Sequence, residues 1–202
     1  MGKIEIKKQR KRTSLLDAAL ELFTQKGMED TSVSDIVTRS GVAKGTFYLY
    51  FRDKYDIRNK LVIYQSRRLL REAYNDMMEA GCEVLEEQLI HISNYVLDQL
   101  LIRKDLLVLI SKNLSWGILK KTMAEMEAED DDNDFIEKFH ALTAPRNITS
   151  AKSEIMLYLL VELIGASCYN AILYENPCDL ETLKPYLFGS VRSIVAQFAE
   201  TG

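Results

Sequence analysis

Residues 31–57, TSVSDIVTRSGVAKGTFYLYFRDKYDI, decide the fold. Thr31 and Ser32 can cap a short helix, whose Val33, Ile36 and Val37 turn inwards and which Ser40 and Gly41 close. After Val42 comes AKGTFYLYF, a second short helix rich in aromatic residues. Two short helices about a tight glycine turn make a helix-turn-helix by spacing. Gly41 supplies a turn conformation that a Cβ resists, and Ile36, Val37 and Val42 lock the pair. So short a helix enters a DNA major groove only when a partner helix and a rigid turn hold its outer face clear of the core. Lys44, Gly45 and Thr46 open that helix and are placed towards base edges, the lysine for guanine and the Thr hydroxyl or methyl for either partner. Thr31, Tyr48, Tyr50 and Lys54 are placed as phosphate anchors. Phe47 and Phe51 belong to the core, on the side that a preceding helix covers.

Outward from this stretch, helical signals continue in both directions. Ser14 with Asp17 reads as a capping pair before LLDAALELF, where Leu15, Ala19, Leu22 and Phe23 recur at helical spacing up to Gly27. Lys7, Lys8, Arg10, Lys11 and Arg12 precede it, either as an arm for a minor groove or as a solvated tail. Asp53 caps a long helix over residues 54 to about 79. Leu85, Leu89, Ile92, Val96 and Leu100 form one stripe of the next, and residues 105–112 a short element. Trp116, Leu119, Met123 and Met126 line a further one, before an acidic break at 127–134 and the amphipathic FIEKFHAL. Residues 150–174 are apolar nearly all round, so that helix must be buried on more than one side. Asn176-Pro177 ends it. A last helical region follows Asp179, with Pro185 starting or kinking its main part and a stripe of Leu187, Val191, Ile194, Val195 and Phe198. The reading is all-α, about nine helices. Residues 1–52 form a helix-turn-helix domain, 53–72 the linking part of helix 4, and 73–202 a ligand-binding and dimerisation domain.

Composition agrees and narrows the partners. The 202 residues are 47% hydrophobic and 28% charged with only 3 Pro, ordinary for a soluble globular chain. A net charge of −4 hides a division. Residues 1–72 hold 16 Lys and Arg against 9 Asp and Glu, a balance of +7, while the remainder holds 10 against 21, a balance of −11. A basic head on an acidic body suits a polyanion at one end. Three Cys without a CxxC pair, and two His, argue against a disulfide framework or a zinc site. The DDDND run lacks the Gly and Glu of a calcium loop, since Phe135 and Ala141 stand there. No phosphate-binding glycine loop is present, so no cofactor and no metal is expected. Nor is catalysis supported: Cys168 lies in an apolar helix, where a thiol is inert, and no nucleophile elbow surrounds Ser167. The start, MGKIEIKKQRKR, is too short and charged for a signal peptide, and the expected location is the cytoplasm.

The 31–57 stretch closely resembles the helix-turn-helix signature of the TetR family of bacterial transcription regulators. The pattern T-x-x-x-x-I-x-x-x-x-G-V-x-x-G-T-x-Y-x-Y/H-F falls on Thr31, Ile36, Gly41, Val42, Gly45, Thr46, Tyr48, Tyr50 and Phe51. The following K-x-x-L begins at Lys54, with Ile57 in place of the Leu. Residues 15–27 are similar to the family's first helix, and the resemblance is specific over 13–58. It implies a homodimer, a palindromic double-stranded DNA operator, and repression relieved by a small-molecule effector.

For the effector site, Gln88, His91, Tyr95 and Asp98 recur along one face of a helix beside the apolar stripe, a mixture that suits a cavity with apolar walls and a few orienting groups. Asn113, Trp116, Met123, Phe139 and Tyr169 are further candidates. For dimerisation, residues 150–174 and 185–198 are too apolar for a monomer surface and would pair with their twofold copies. Ile164, Gly165, Cys168, Val191, Ile194 and Phe198 are the expected interface, with Gly165, Ala166 and Ser167 permitting close approach. Two other readings remain at this point. One is a helical ligand-binding protein or enzyme with a vestigial helix-turn-helix, and the other a membrane-associated protein using residues 155–173. Salt-dependent DNA binding separates the first reading from both.

Overall fold

The computed structural model describes residues 3–111 and 135–199. Nine α-helices and no strand occur among the described residues. They are α1 (Lys3–Lys26), α2 (Val33–Ser40), α3 (Lys44–Tyr50), α4 (Lys54–Glu79) and α5 (Leu85–Ile102), followed by α6 (Lys104–Ser111), α7 (Phe135–Thr143), α8 (Ser150–Tyr174) and α9 (Leu180–Ala199). The chain divides into two compact units, Met1–Gln65 and Ser66–Gly202, and the division falls inside α4.

In the first unit α1 packs on α2 and α2 on α3. The buried residues are those of the sequence stripes: Leu15, Ala19 and Phe23 of α1, Ile36 of α2, Phe47 of α3, and Ile57 and Leu61 of α4. Phe51 is buried too, its ring centroid 5.5 Å from that of Phe47. Gly27, at φ +85°, ends α1. Asp53 starts α4 as expected, its Oδ1 accepting the N–H groups of Tyr55 and Asp56 at 2.8 Å each. The start of α1 differs from the expectation. Ser14 does not cap a helix but lies inside one that begins at Lys3, and its hydroxyl donates to the Ser40 carbonyl at 3.3 Å. No Gly or Pro separates Lys3 from Ser14, and the Lys, Arg and Gln residues between them favour the helix. Lys7, Lys8, Arg10 and Lys11 are therefore exposed on a helix rather than on an arm or a tail.

The second unit is organised around α8, which packs against α5, α6, α7 and α9. That explains its apolar character on more than one face. One cluster joins Leu85 and Leu89 of α5, Phe135 and Phe139 of α7, Met156, Leu157 and Leu160 of α8, and Val191 and Val195 of α9. Another joins Leu69 of α4, Leu97 and Leu100 of α5, Leu106 and Leu107 of α6, Cys168 and Ile172 of α8, and Leu187 of α9. Cys168 and Val191, expected at a dimer interface, are thus core residues of the chain's own fold. Ile194 and Phe198 are partly buried against the first cluster. A charged tie closes the bundle: Lys184 Nζ on α9 donates to Asp98 Oδ1 on α5 at 2.6 Å and to Glu181 Oε1 at 2.7 Å. Burial works against the ammonium, but the bonds it donates to Asp98 and Glu181 outweigh it and its pKa is raised. α8 is also long and apolar enough to cross a membrane by length and composition; here it is the central helix of a bundle.

Candidate functional site

The first unit builds a surface around α3. Ser32 and Asp35 form a reciprocal capping box at the start of α2, which satisfies donors that a helix end leaves bare. Asp35 also accepts from Lys26 Nζ at 2.9 Å. That bond and those from Ser32 hold its carboxyl down to about 2. At the other end of α2, Gly41 takes a left-handed conformation, φ 69° and ψ 17°, and its N–H is directed to the Thr38 and Val37 carbonyls. The Val42 N–H donates to the Val37 carbonyl at 3.2 Å. These bonds fix the turn, and α3 leaves it with Phe47 driven into the core.

The outer face of α3 is what remains. Lys44, Gly45, Tyr48 and Leu49 are exposed, and Thr46 and Tyr50 half-buried. Lys44 Nζ donates to Ser34 Oγ at 3.4 Å. A Cβ on Gly45 would meet open space, so a backbone or base edge can approach closely there. Tyr48, exposed, stands edge-on to Phe47 at 5.3 Å between ring centroids. Leu49 was not foreseen. It is 80% exposed, and a place two residues from Phe47 puts it about 200° around the helix from the buried ring. That spacing was the available signal.

Two expected anchors are engaged elsewhere. Thr31 is buried, and its hydroxyl donates to the Gly27 carbonyl at 2.7 Å, closing the end of α1. Lys54 Nζ donates to the Met28 and Glu29 carbonyls at 3.1 Å each and lies 3.8 Å from the Glu29 carboxylate. It pins the loop before α2 instead of standing free. Lys60, six residues further along α4, likewise caps α3 by donating to the Tyr50 carbonyl at 3.1 Å.

The second unit forms a partly open apolar cavity of about 160 Å³. Its wall draws on Ser66, Leu69 and Leu70 of α4, Leu89, Ile92, Ser93, Val96 and Leu100 of α5, Phe135 and Phe139 of α7, and Leu160, Ile164, Gly165 and Cys168 of α8. Among the described residues, Phe139 is the one expected ligand residue in this wall. His91 pairs with Asp76 across 2.6 Å at the surface, and Tyr95 packs beside Ala73 and Met77. Tyr169 stands against Tyr174, ring centroids 6.1 Å apart. Asn113, Trp116 and Met123 lie outside the described residues. The cavity opens onto the apolar stripe of α5, not its polar face. Ile164, half-buried, and Gly165, exposed, both expected at a dimer interface, also line it. Burial pushes the Cys168 thiol up to about 11, so it remains a thiol.

Residues 15–61 match the family described as bacterial regulatory proteins, tetR family. The chain is 52% identical over 40 residues to an uncharacterised HTH-type transcriptional regulator, YvdT, of Bacillus subtilis, covering 20% of this chain and 21% of that protein. It is 35% identical over 72 residues to the fatty acid metabolism regulator protein of the same species, covering 36% and 37%. These alignments span between a fifth and two fifths of the relatives' length. Over the fold, the chain is similar to Bacillus subtilis FadR in complex with stearoyl-CoA, with a TM-score of 0.63, 19% identity, and 89% and 96% of the two chains covered. Thermus thermophilus FadR in complex with lauroyl-CoA gives a TM-score of 0.64 at 21% identity, with 91% and 93% covered. The family match covers the helix-turn-helix region alone, and over most of its length the chain shares the fold of these solved structures.

Proposed function

We propose that this protein is a ligand-responsive transcriptional regulator. In this reading it is a cytoplasmic homodimer that represses from a palindromic operator and is released by a small molecule. The outer face of α3 carries the proposal. The seven-residue helix is anchored from behind by Phe47 and Phe51 and oriented by the Gly41 turn, and it presents Lys44, Gly45, Thr46 and Tyr48 outward. Side chains held in that way can read base edges without reorganising. The cavity supplies the second half. α4 contributes Lys54, Ile57 and Lys60 to the first unit and Ser66, Leu69 and Leu70 to the cavity wall. An occupant that bears on Ser66 to Leu70 therefore bears on the helix that also holds α3. The mechanism is a population shift between two settings of α4. A dimer must place its two recognition helices in successive major grooves about 34 Å apart, so a small change of setting costs affinity.

The dimer surface of this proposal is the outer stripe of α8, where Ile155, Tyr158 and Leu159 are exposed at helical spacing, together with Tyr186 of α9. Ile155→Glu with Leu159→Glu is expected to give monomers that lose operator binding while keeping their helical content.

The test is titration of the protein against a selected palindromic duplex and a scrambled one at two salt concentrations. Binding that weakens steeply with salt and prefers the selected duplex is expected. Binding indifferent to salt overturns the proposal.

A further inference from the structure

Among the described residues of the second unit, buried hydroxyls are satisfied with one exception. Ser93 Oγ donates back to the Leu89 carbonyl at 2.6 Å. Thr143 Oγ1 donates to the His140 carbonyl at 3.1 Å and bonds Ser153 Oγ at 2.9 Å. Ser66 Oγ has no partner, although the residue is only 7% exposed and lies in the cavity wall. A helical serine has an easy remedy, the carbonyl one turn back, as Ser93 shows. Leaving a buried hydroxyl unmade is costly, so an unpaired one facing a void marks a place where a bond is made to something else.

The rest of the wall says what that something is. None of the seventeen described residues that line it is charged, so a charge inside would meet no counter-ion among them, away from bulk water. Water is a poor occupant, because it needs two to four polar partners. Among the described residues the wall offers the Ser66 hydroxyl and a Ser93 hydroxyl whose proton is already engaged. Cys168 donates weakly to the Gly165 carbonyl at 3.5 Å. An apolar cavity of roughly 150 Å³ stays dry and takes up benzene, and this one measures about 160 Å³. That is about half the smallest pockets, of roughly 300 Å³, that hold drug-sized ligands.

We infer that the cavity takes a compact uncharged group, about the size of one six-membered ring, whose single hydroxyl or carbonyl oxygen bonds Ser66 Oγ. This deepens the reading of the cavity as the effector site and rests on it. It sets aside cationic compounds as occupants. It also makes Ser66 the residue that decides between ligands of equal shape.

Phenol and toluene differ by a hydroxyl in place of a methyl, and benzylammonium adds a charge. Their affinities for the full-length protein are measured by calorimetry and by ligand-observed NMR. Wild-type protein is expected to bind phenol about tenfold more tightly than toluene, the worth of one neutral hydrogen bond, and benzylammonium not at all. Ser66→Ala removes the unpaired hydroxyl and is expected to fold at least as stably. It should bind phenol and toluene equally, within about twofold. Equal affinity of wild type for the two, a preference that survives Ser66→Ala, uptake of benzylammonium, or exclusion of all three compounds overturns the inference. Operator affinity measured in parallel separates it from the function it rests on. A Ser66-dependent preference without any change in operator binding leaves the inference standing and removes the effector role of the cavity.

Discussion

The two units of this chain solve opposite problems. The first spends its polar groups on fixing backbone: Ser32 and Asp35 cap α2, Gly41 and Val42 close it, Thr31 closes α1, Lys54 holds the loop before α2, and Lys60 holds the end of α3. Its apolar side chains fill the space behind α3, and what is left on the outside is a short, oriented helix face. The second unit keeps most of its polar groups at the surface or in pairs, and leaves a void whose described wall is mostly aliphatic and aromatic, with one unsatisfied hydroxyl. A reader of DNA gains from rigidity, since ordering is completed before binding. A sensor gains from a gap, since a ligand that fills unfavourable empty space contributes free energy to a new setting of the helices around it.

The strongest way to break that contrast is to excavate both cores. Phe47→Ala removes a fully buried ring from the filled space behind α3, and about 4–5 kcal/mol of stability is expected to go with it, at the upper end for such changes. Phe139→Ala removes an equally buried ring that already borders a void. About 3 kcal/mol is expected there, and toluene uptake is expected to rise because the cavity grows. Urea denaturation of each variant, followed by circular dichroism, measures the pair. Equal losses, or a larger loss at Phe139, would mean that the two interiors are alike.

Two lysines ten residues apart sharpen the comparison within the first unit. Lys54→Ala takes away two charge-assisted bonds to loop carbonyls and is expected to cost about 1–2 kcal/mol of stability, since the side chain is only partly exposed. Lys44→Ala removes an exposed ammonium and is expected to change stability by less than about 0.5 kcal/mol. On DNA the order reverses. Lys44→Ala is expected to cost about 1–3 kcal/mol on the selected operator and much less on a scrambled duplex. Lys54→Ala is expected to leave the slope of affinity against salt unchanged. A salt slope lowered by about one in Lys54→Ala would return that residue to the phosphate backbone.

How far these roles can be read in the sequence follows from their range. The cap at Ser32, the Gly41 turn and the apolar spacing of Phe47 and Phe51 depend on neighbours within a few residues, and each is legible in 31–57, whereas the Asp35 half of the capping box is not read there. The charge of Lys54 is equally visible, but its acceptors lie about 25 residues upstream, and nothing local distinguishes a carbonyl clamp from a phosphate anchor. The effector site fails for a related reason. A polar-aromatic face on α5 is compatible with a cavity or with solvent, and His91 with Asp76, like Asp98 with Lys184, turned out to be surface and inter-helix pairing. The void lies where several apolar stripes meet without quite touching, which is a property of tertiary packing. Cys168 and Val191 misled for the same reason, since α8 and α9 are apolar towards their own core as well as on their outer faces.

Leu49 offers a smaller effect. An exposed leucine beside Gly45 and Tyr48 has only apolar surface to offer DNA, and the thymine methyl is the apolar feature of the major groove. Leu49→Ala is expected to leave stability unchanged and to cost about 1 kcal/mol on the selected operator. Replacing thymine by uracil in each position of the operator is expected to reproduce that loss at one step per half-site. At that step, combining the two changes should cost no more than either alone. Losses that simply add would show that Leu49 does not touch a thymine methyl.

The smallest expected effect is a dependence on acid, and it belongs to the first unit only. Asp35 has its carboxyl held at about 2, below the ordinary 3.8, by Lys26 and by the Ser32 backbone and hydroxyl. A carboxyl with a depressed folded-state pKa adds stability that is fully present above the unfolded value and disappears as pH falls through the folded one. The contribution is therefore complete above about pH 4 and lost between there and about pH 2. Asp35→Asn keeps a side chain that can accept from the Ser32 N–H but cannot pair with Lys26 as an anion. It is expected to be slightly less stable at neutral pH and to show a flatter acid limb. Both proteins are followed by the Tyr48 and Tyr50 resonances of α3 as pH is lowered, with the toluene-contact resonances of Phe139 as the internal reference for the second unit. If the α3 signals of wild type and Asp35→Asn shift in parallel across that window, the capping carboxylate does not set the acid response of the helix-turn-helix.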